Sequence, residues 1–164
     1  MKYIVIRGPA GVGKSTIAKK LADLLNAVYI SFDDVMKENK LDKIENGGIS
    51  EENFIEANKL VIPKIKKLLS KNKKVVLDGC FYREKQLKHL EDEIKSPNIV
   101  FSLYAPLKEC ISRNKIRGTP MSNEAIKEVH DLVNSLKVGE TIETSKNTIG
   151  EVIEKIRLKL KINL

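Results

Sequence analysis

The sequence has no tryptophan and only four phenylalanines and four tyrosines. It therefore lacks the patterned aromatic sheet on which single-stranded nucleic acids stack. Its two cysteines, Cys80 and Cys110, have no CxxC spacing and no histidine beside them, which excludes the usual ligand set of a zinc site. The longest uncharged apolar run falls far short of the roughly 20 residues that a membrane helix needs. Met1–Ile6 leads straight into a glycine-rich loop rather than a signal-peptide cleavage site. These absences predict a soluble, cytoplasmic protein with no membrane partner and no disulfide. A one-sided charge is missing too: 15 basic and 10 acidic residues fall in 1–82, 15 and 12 in 83–164. The resulting net charge of +8 attracts anions of any kind, but its even spread is not a nucleic-acid-binding stripe.

What is present suffices for one domain. The 164 residues, 41% of them hydrophobic, fit a single unit of about 100–200 residues with a core that needs no staples. Residues 2–6 (KYIVI) are β-branched and apolar and stop at Gly8, which predicts a buried strand. Ile17, Ala18, Leu21, Ala22, Leu24 and Leu25 recur at helical spacing over 15–25. A second strand, 28–31, ends at Asp33 and Asp34, and the polar stretch 39–48 predicts a loop closing on Gly47 and Gly48. A helix then starts near Ser50, which Pro63 should kink, and six lysines between Lys64 and Lys74 lie toward its end. The strand VVLD (75–78), a helix over 84–95, a strand over 98–104 and a helix from Pro106 to about Arg117 follow. The remainder reads as a helix over 122–136, a strand over 140–144 and a terminal helix opened by a Thr148–Glu151 capping box. Strands alternating with helices predict an α/β fold, a parallel β-sheet with helices on both faces, whose ligands bind at the carboxyl ends of the strands.

Those ends carry the chemistry. Gly8, Pro9, Ala10, Gly11, Val12, Gly13, Lys14 and Ser15 satisfy GxxxxGK[ST] in full, with a strand before and a helix after. The glycines let backbone N–H groups wrap phosphate oxygens, Lys14 brings a charge to the β and γ phosphates, and Ser15 offers a hydroxyl to Mg²⁺. Asp33, 18 residues beyond Ser15, is placed either to accept the proton of an attacking hydroxyl, to hold Mg²⁺ through water, or simply to cap a helix from Asp34. Asp78 ends its strand like a Walker-B acid, its alternative being a turn aspartate before Gly79. Arg113 and Arg117 are spaced i, i+4 ahead of Gly118–Pro120, where two guanidinium groups can close over a transferred phosphoryl group; otherwise they are surface residues at a helix end. Arg83 is a candidate for a substrate anion, while His89 and His130 read as structural.

Taken together, Gly8–Ser15, Asp33, Asp78 and the Arg113–Arg117 pair resemble the P-loop kinases of small molecules and nucleic-acid ends. This group includes shikimate and gluconate kinases, adenylate kinase-like enzymes and polynucleotide 5′-hydroxyl kinases. SFDDVM (31–36) and RNKIRG (113–118) look most like the polynucleotide branch. The resemblance implies a P-loop nucleoside triphosphate-binding fold using ATP and Mg²⁺, with a substrate-binding helical insertion over about 34–72 and a short lid over about 113–122. Catalysis would rest on Lys14, Asp33, Arg113 and Arg117, and nucleotide binding on Gly8, Ala10, Gly11, Val12, Gly13, Lys14, Ser15, Thr16 and Arg113. The metal would fall to Ser15, Asp33 and Asp78, the acceptor to Asp33 and Arg83, in a monomer or homodimer. Two departures bear on the acceptor. Met36 stands where polynucleotide kinases carry an arginine, and Gly79 is followed by Cys80 and Phe81 rather than by the glycine run of shikimate kinases.

The function implied is transfer of the γ-phosphate of ATP to a hydroxyl of a small metabolite or nucleoside, with a nucleic-acid 5′ end as the alternative acceptor. A nucleotide-binding switch or an ATPase without a small-molecule acceptor is the rival class. Asn39–Asp42 (NKLD) matches the guanine-reading pattern of GTPases, but it lies only 24 residues past Ser15 and no DxxG follows Asp78, so the match is one of chance.

Overall fold

The computed structural model describes residues 3–45, 47–116 and 121–161. Strand β1 (Tyr3–Arg7) runs through the glycine-rich loop into α1 (Lys14–Leu25), and β2 (Val28–Ser31) runs into α2 (Phe32–Glu38). A small hairpin, β3 (Ile44–Glu45) and β4 (Gly48–Ile49), precedes the long α3 (Glu51–Ser70). The chain continues through β5 (Val75–Gly79), α4 (Glu84–Ile94), β6 (Asn98–Tyr104), α5 (Leu107–Lys115), α6 (Asn123–Ser135), β7 (Glu140–Glu143) and α7 (Ile149–Lys159).

Five strands form one parallel sheet in the order β2-β5-β1-β6-β7. Parallel neighbours need crossover connections, and the helices that supply them cover both faces. The alternation along β1 shows this directly: Tyr3 and Val5 join one apolar cluster with α3 and α4, while Ile4 and Ile6 join another with α1 and α7. Register then builds the site. Ser31 pairs with Asp78, Asp78 with Ile6, and Gly79 with Arg7, so the ends of β2, β5 and β1 emerge level with the glycine-rich loop.

Ser31, Ser50, Ser122 and Thr148 cap α2, α3, α6 and α7 through their side chains, Thr148 in the capping box with Glu151. Because Ser31 accepts from Asp34 N at 3.1 Å, Asp33 is not the cap of α2 and its carboxylate is left for other work. One expectation changes. The stretch 39–48 is not all loop, since it contains most of the β3–β4 hairpin. Helix α3 runs on through Pro63, which lies on its exposed face, so the Lys59 carbonyl left without its donor can turn to water. Pro106 stands at the N-cap of α5, one position ahead of its first turn. Among the described residues no helix is long and apolar enough to cross a membrane.

Candidate active site

The loop between β1 and α1 is set by close approaches that no side chain tolerates. Gly11 has φ +80° and a Cβ there would overlap the Cys110 carbonyl; a Cβ on Gly8 would lie 2.7 Å from Val12 Cγ1 and 2.9 Å from Leu103 O. Gly13, at φ 100°, is the N-cap of α1 and has no side chain to occupy the first-turn N–H groups. Those donors and the positive end of the helix dipole face outward as a ready anion site.

Around this loop the expected acids and bases meet. Lys14 is buried, its Nζ 3.3 Å from Pro9 O and 3.7 Å from Asp33 Oδ2. Burial alone would lower the Lys14 pKa, but the Cys80 thiol and the Asp33 and Asp78 carboxylates reverse the sign and raise it, so the ammonium stays charged. Ser15 Oγ donates to Asp78 Oδ2 at 2.8 Å, joining α1 to the end of β5. Asp78 is only 1% exposed, and burial raises its pKa against the pull of the Tyr29 and Ser15 hydroxyls and Lys14. Its Oδ1 is buried without a hydrogen-bond partner. An orphaned carboxylate oxygen beside a serine hydroxyl is a hard-oxygen donor set that fits Mg²⁺.

Asp33 reaches into the same space from the first turn of α2. Its Oδ1 accepts from Cys80 N at 3.2 Å and its Oδ2 from Cys80 Sγ at 3.7 Å, so the residue after Gly79 orients the carboxylate. Burial and the Asp33 charge push the Cys80 thiol up to about 12, which keeps it a neutral donor. Cys80 was not legible as a site residue; its one sequence signal is its place two residues past Asp78. A cleft of about 560 Å³ opens here, lined on one side by Ala10, Lys14 and Ser15 and on the other by Met36, Phe54 and Tyr82, with Asp33 and Cys80 between.

The remaining candidates lie elsewhere. Arg113 donates from Nη1 to Val12 O (3.3 Å) and Thr144 Oγ1 (3.2 Å), from Nη2 to Thr144 O (3.2 Å), and from Nε to Glu109 Oε1 (2.9 Å). It lines a second hollow of about 330 Å³ with Gly13, Thr16, Thr144, Asn147 and Ile149, behind the loop. Arg83 is turned to the hairpin, donating from Nη2 to Gly47 O (2.6 Å) and Ile49 O (3.1 Å). It does not line the cleft among the described residues. Arg117, and with it residues 118–120 at the centre of the expected lid, lies outside the described residues. His89 Nδ1 sits 3.2 Å from Asn58 Nδ2 and His130 Nε2 3.0 Å from Ala105 O, both away from the cleft lining.

A P-loop closed on a parallel sheet, with acids at the ends of two strands and a cleft beside them, defines a nucleotide-dependent phosphotransferase architecture. Comparison with known proteins agrees. Residues 4–133 match the AAA domain family. The chain is 31% identical over 134 residues to a cytidylate kinase of Saccharolobus islandicus, covering 77% of this chain and 65% of the relative's own length. It is 30% identical over 138 residues to an adenylate kinase of Mycolicibacterium vanbaalenii, covering 75% of this chain and 74% of that one. A sugar kinase from Janibacter sp. HTCC2649 shares the fold with a TM-score of 0.83 at 16% identity, over 99% of this chain and 95% of that one. The chain therefore belongs to the AAA domain family, among the P-loop kinases of small molecules.

Proposed function

We propose that the protein is an ATP-dependent kinase that transfers the γ-phosphoryl group to a hydroxyl of a small molecule. The observation that carries this reading is Asp33: an exposed carboxylate in the cleft, fixed by Cys80 N–H, with Oδ2 3.7 Å from the P-loop lysine. A carboxylate so placed serves an acceptor that must lose a proton as it attacks. The acceptor oxygen bonds to the γ-phosphorus while the bond from that phosphorus to the β–γ bridging oxygen breaks and ADP leaves; Asp33 takes the hydroxyl proton. Lys14 and the open N–H groups of α1 hold the phosphates in line, a positioning and charge-stabilising role. Ser15 and Asp78 would hold Mg²⁺, which would neutralise the charge developing on the phosphates. Arg113 with Thr144 and Asn147 lines the hollow where the nucleoside of ATP would sit, and residues 34–72 supply most of the acceptor wall of one domain.

A second reading, a nucleoside monophosphate as acceptor, is favoured by the identity to cytidylate and adenylate kinases. Phosphorus NMR of the product separates the two. Transfer to a hydroxyl gives a phosphomonoester signal that couples to carbon-bound protons. Transfer to a monophosphate gives a phosphorus–phosphorus-coupled diphosphate pair, and that result from the preferred acceptor would overturn the hydroxyl reading.

A further inference from the structure

The walls of the acceptor half of the cleft differ in chemistry from its phosphate half. Met36, Phe54 and Tyr82, with Ile44, Ile49 and Val129, give an apolar, partly aromatic lining. Phe54 and Tyr82 pack edge to face at 5.0 Å, which fixes both rings. Several polar atoms around the acceptor half are already engaged. Tyr82 Oη accepts from Ile49 N at 2.7 Å, Ser31 Oγ accepts from Asp34 N, and the Asn114 amide is paired on both sides with the Met121 backbone. Of the charged side chains that line the cleft, Lys14 and Asp33 pair at 3.7 Å and Lys19 lies over the Tyr29 ring, which leaves Asp34, Asp42 and Lys37 without a partner among the described residues. Among these unpaired groups carboxylates outnumber cations two to one, and the triphosphate beside them adds further negative charge.

Resting on the hydroxyl-kinase reading, we infer that the acceptor is an unphosphorylated, non-anionic alcohol carrying a flat apolar ring. The ring packs on the Met36–Phe54–Tyr82 wall and the hydroxyl is presented to Asp33. Such a ring recovers contact with polarisable and aromatic side chains that an open polyol would leave unused. An acceptor bearing a carboxylate or phosphate meets Asp34 and Asp42 as like charges, a repulsive element that sets specificity as firmly as the attractive wall. A nucleoside and a simple aryl alcohol both present this chemistry.

The test is a steady-state comparison of ADP release by the full chain with Mg-ATP and single acceptors: cytidine, adenosine, 2-phenylethanol, gluconate, shikimate, CMP and a 5′-hydroxyl oligonucleotide. At least one neutral ring-bearing alcohol is expected to exceed each anionic acceptor in kcat/KM by about tenfold or more. Turnover of nucleosides without the aryl alcohol, or the reverse, identifies which source of that chemistry the site takes. Asp42→Asn, an exposed change, is expected to narrow the gap to gluconate by about threefold, as loss of one partly screened like-charge contact implies. Preference for gluconate, shikimate or the oligonucleotide would overturn this inference while leaving hydroxyl transfer intact. Preference for CMP with a diphosphate product would overturn both, and absence of turnover with every neutral ring-bearing alcohol would overturn the inference.

Discussion

The guanidinium of Arg7 donates from Nε to the Phe81 carbonyl at 2.9 Å, joining the residue before the P-loop to the turn that follows Asp78. Arg7 is 1% exposed and spends its other donors on Ser102 Oγ (3.0 Å), Leu136 O (2.9 Å) and Val133 O (2.7 Å). All these acceptors are uncharged, so burial lowers its pKa to about 10 without a carboxylate to offset it. Phe81 itself holds φ +28°, in the left-handed region that a phenylalanine seldom adopts. One side chain thus ties together β1, the Gly79–Phe81 turn, β6 and the carbonyl end of α6. Arg7→Met is expected to lower the unfolding free energy by at least about 2 kcal/mol, because several buried carbonyls lose their donor. Urea denaturation checks this; an unchanged midpoint would show that the turn holds its shape without Arg7.

Asp78 should trade stability for metal binding. Its folded pKa is raised above 3.8, so its contribution is favourable below that value and is lost as pH rises through the folded pKa. At neutral pH the ionised form is therefore a burden. Asp78→Asn is expected to raise Tm at pH 7 by roughly 2–4 °C, with the gain shrinking as the pH falls. Mg²⁺-dependent turnover should be lost in the same variant. Thermal melts in Mg²⁺-free buffer at several pH values measure the first, and a lower Tm at pH 7 would contradict it.

Lys14→Ala removes a buried ammonium held by Pro9 O, Asp33 and the Cys80 thiol. Phosphoryl transfer is expected to fall by about 10²-fold or more, since the lost charge acts on the transferring group, while far-ultraviolet circular dichroism stays unchanged. Wild-type turnover by a folded variant would remove the P-loop from the account.

Arg113→Ala is expected to act chiefly on the nucleotide. Its guanidinium is engaged by Val12 O and Thr144 at the rear of the loop. A rise of about tenfold in KM for ATP, with single-turnover rates little changed, follows if its contacts serve binding equally in ground and transition states. A selective loss in the single-turnover rate would return Arg113 to the chemistry.

How far the sequence carried the argument follows from how local each feature is. Gly8–Ser15 is a run of consecutive residues whose geometry is fixed by its own backbone, and the strand-terminal position of Asp78 follows from a short apolar run. The β3–β4 hairpin was invisible because strands of two residues have no period to read. Arg7, Asn114 and Thr144 act through partners 7 to 132 residues away. Arg7 in particular ends an apolar strand and gives no sign that it turns inward. Arg83 shows the converse: a basic residue just past an acidic strand end invites an anion, but tertiary contact gives it the hairpin carbonyls.

The most direct test of the account is the kinetic split in Asp33→Asn, measured with the best hydroxyl acceptor and saturating Mg²⁺. The amide can still accept from Cys80 N–H but cannot take a proton. A fall in kcat of about 10²–10⁴-fold is expected, with KM for ATP nearly unchanged. A loss confined to the KM for ATP, with kcat preserved, would contradict Asp33 as the base and with it the hydroxyl-transfer chemistry.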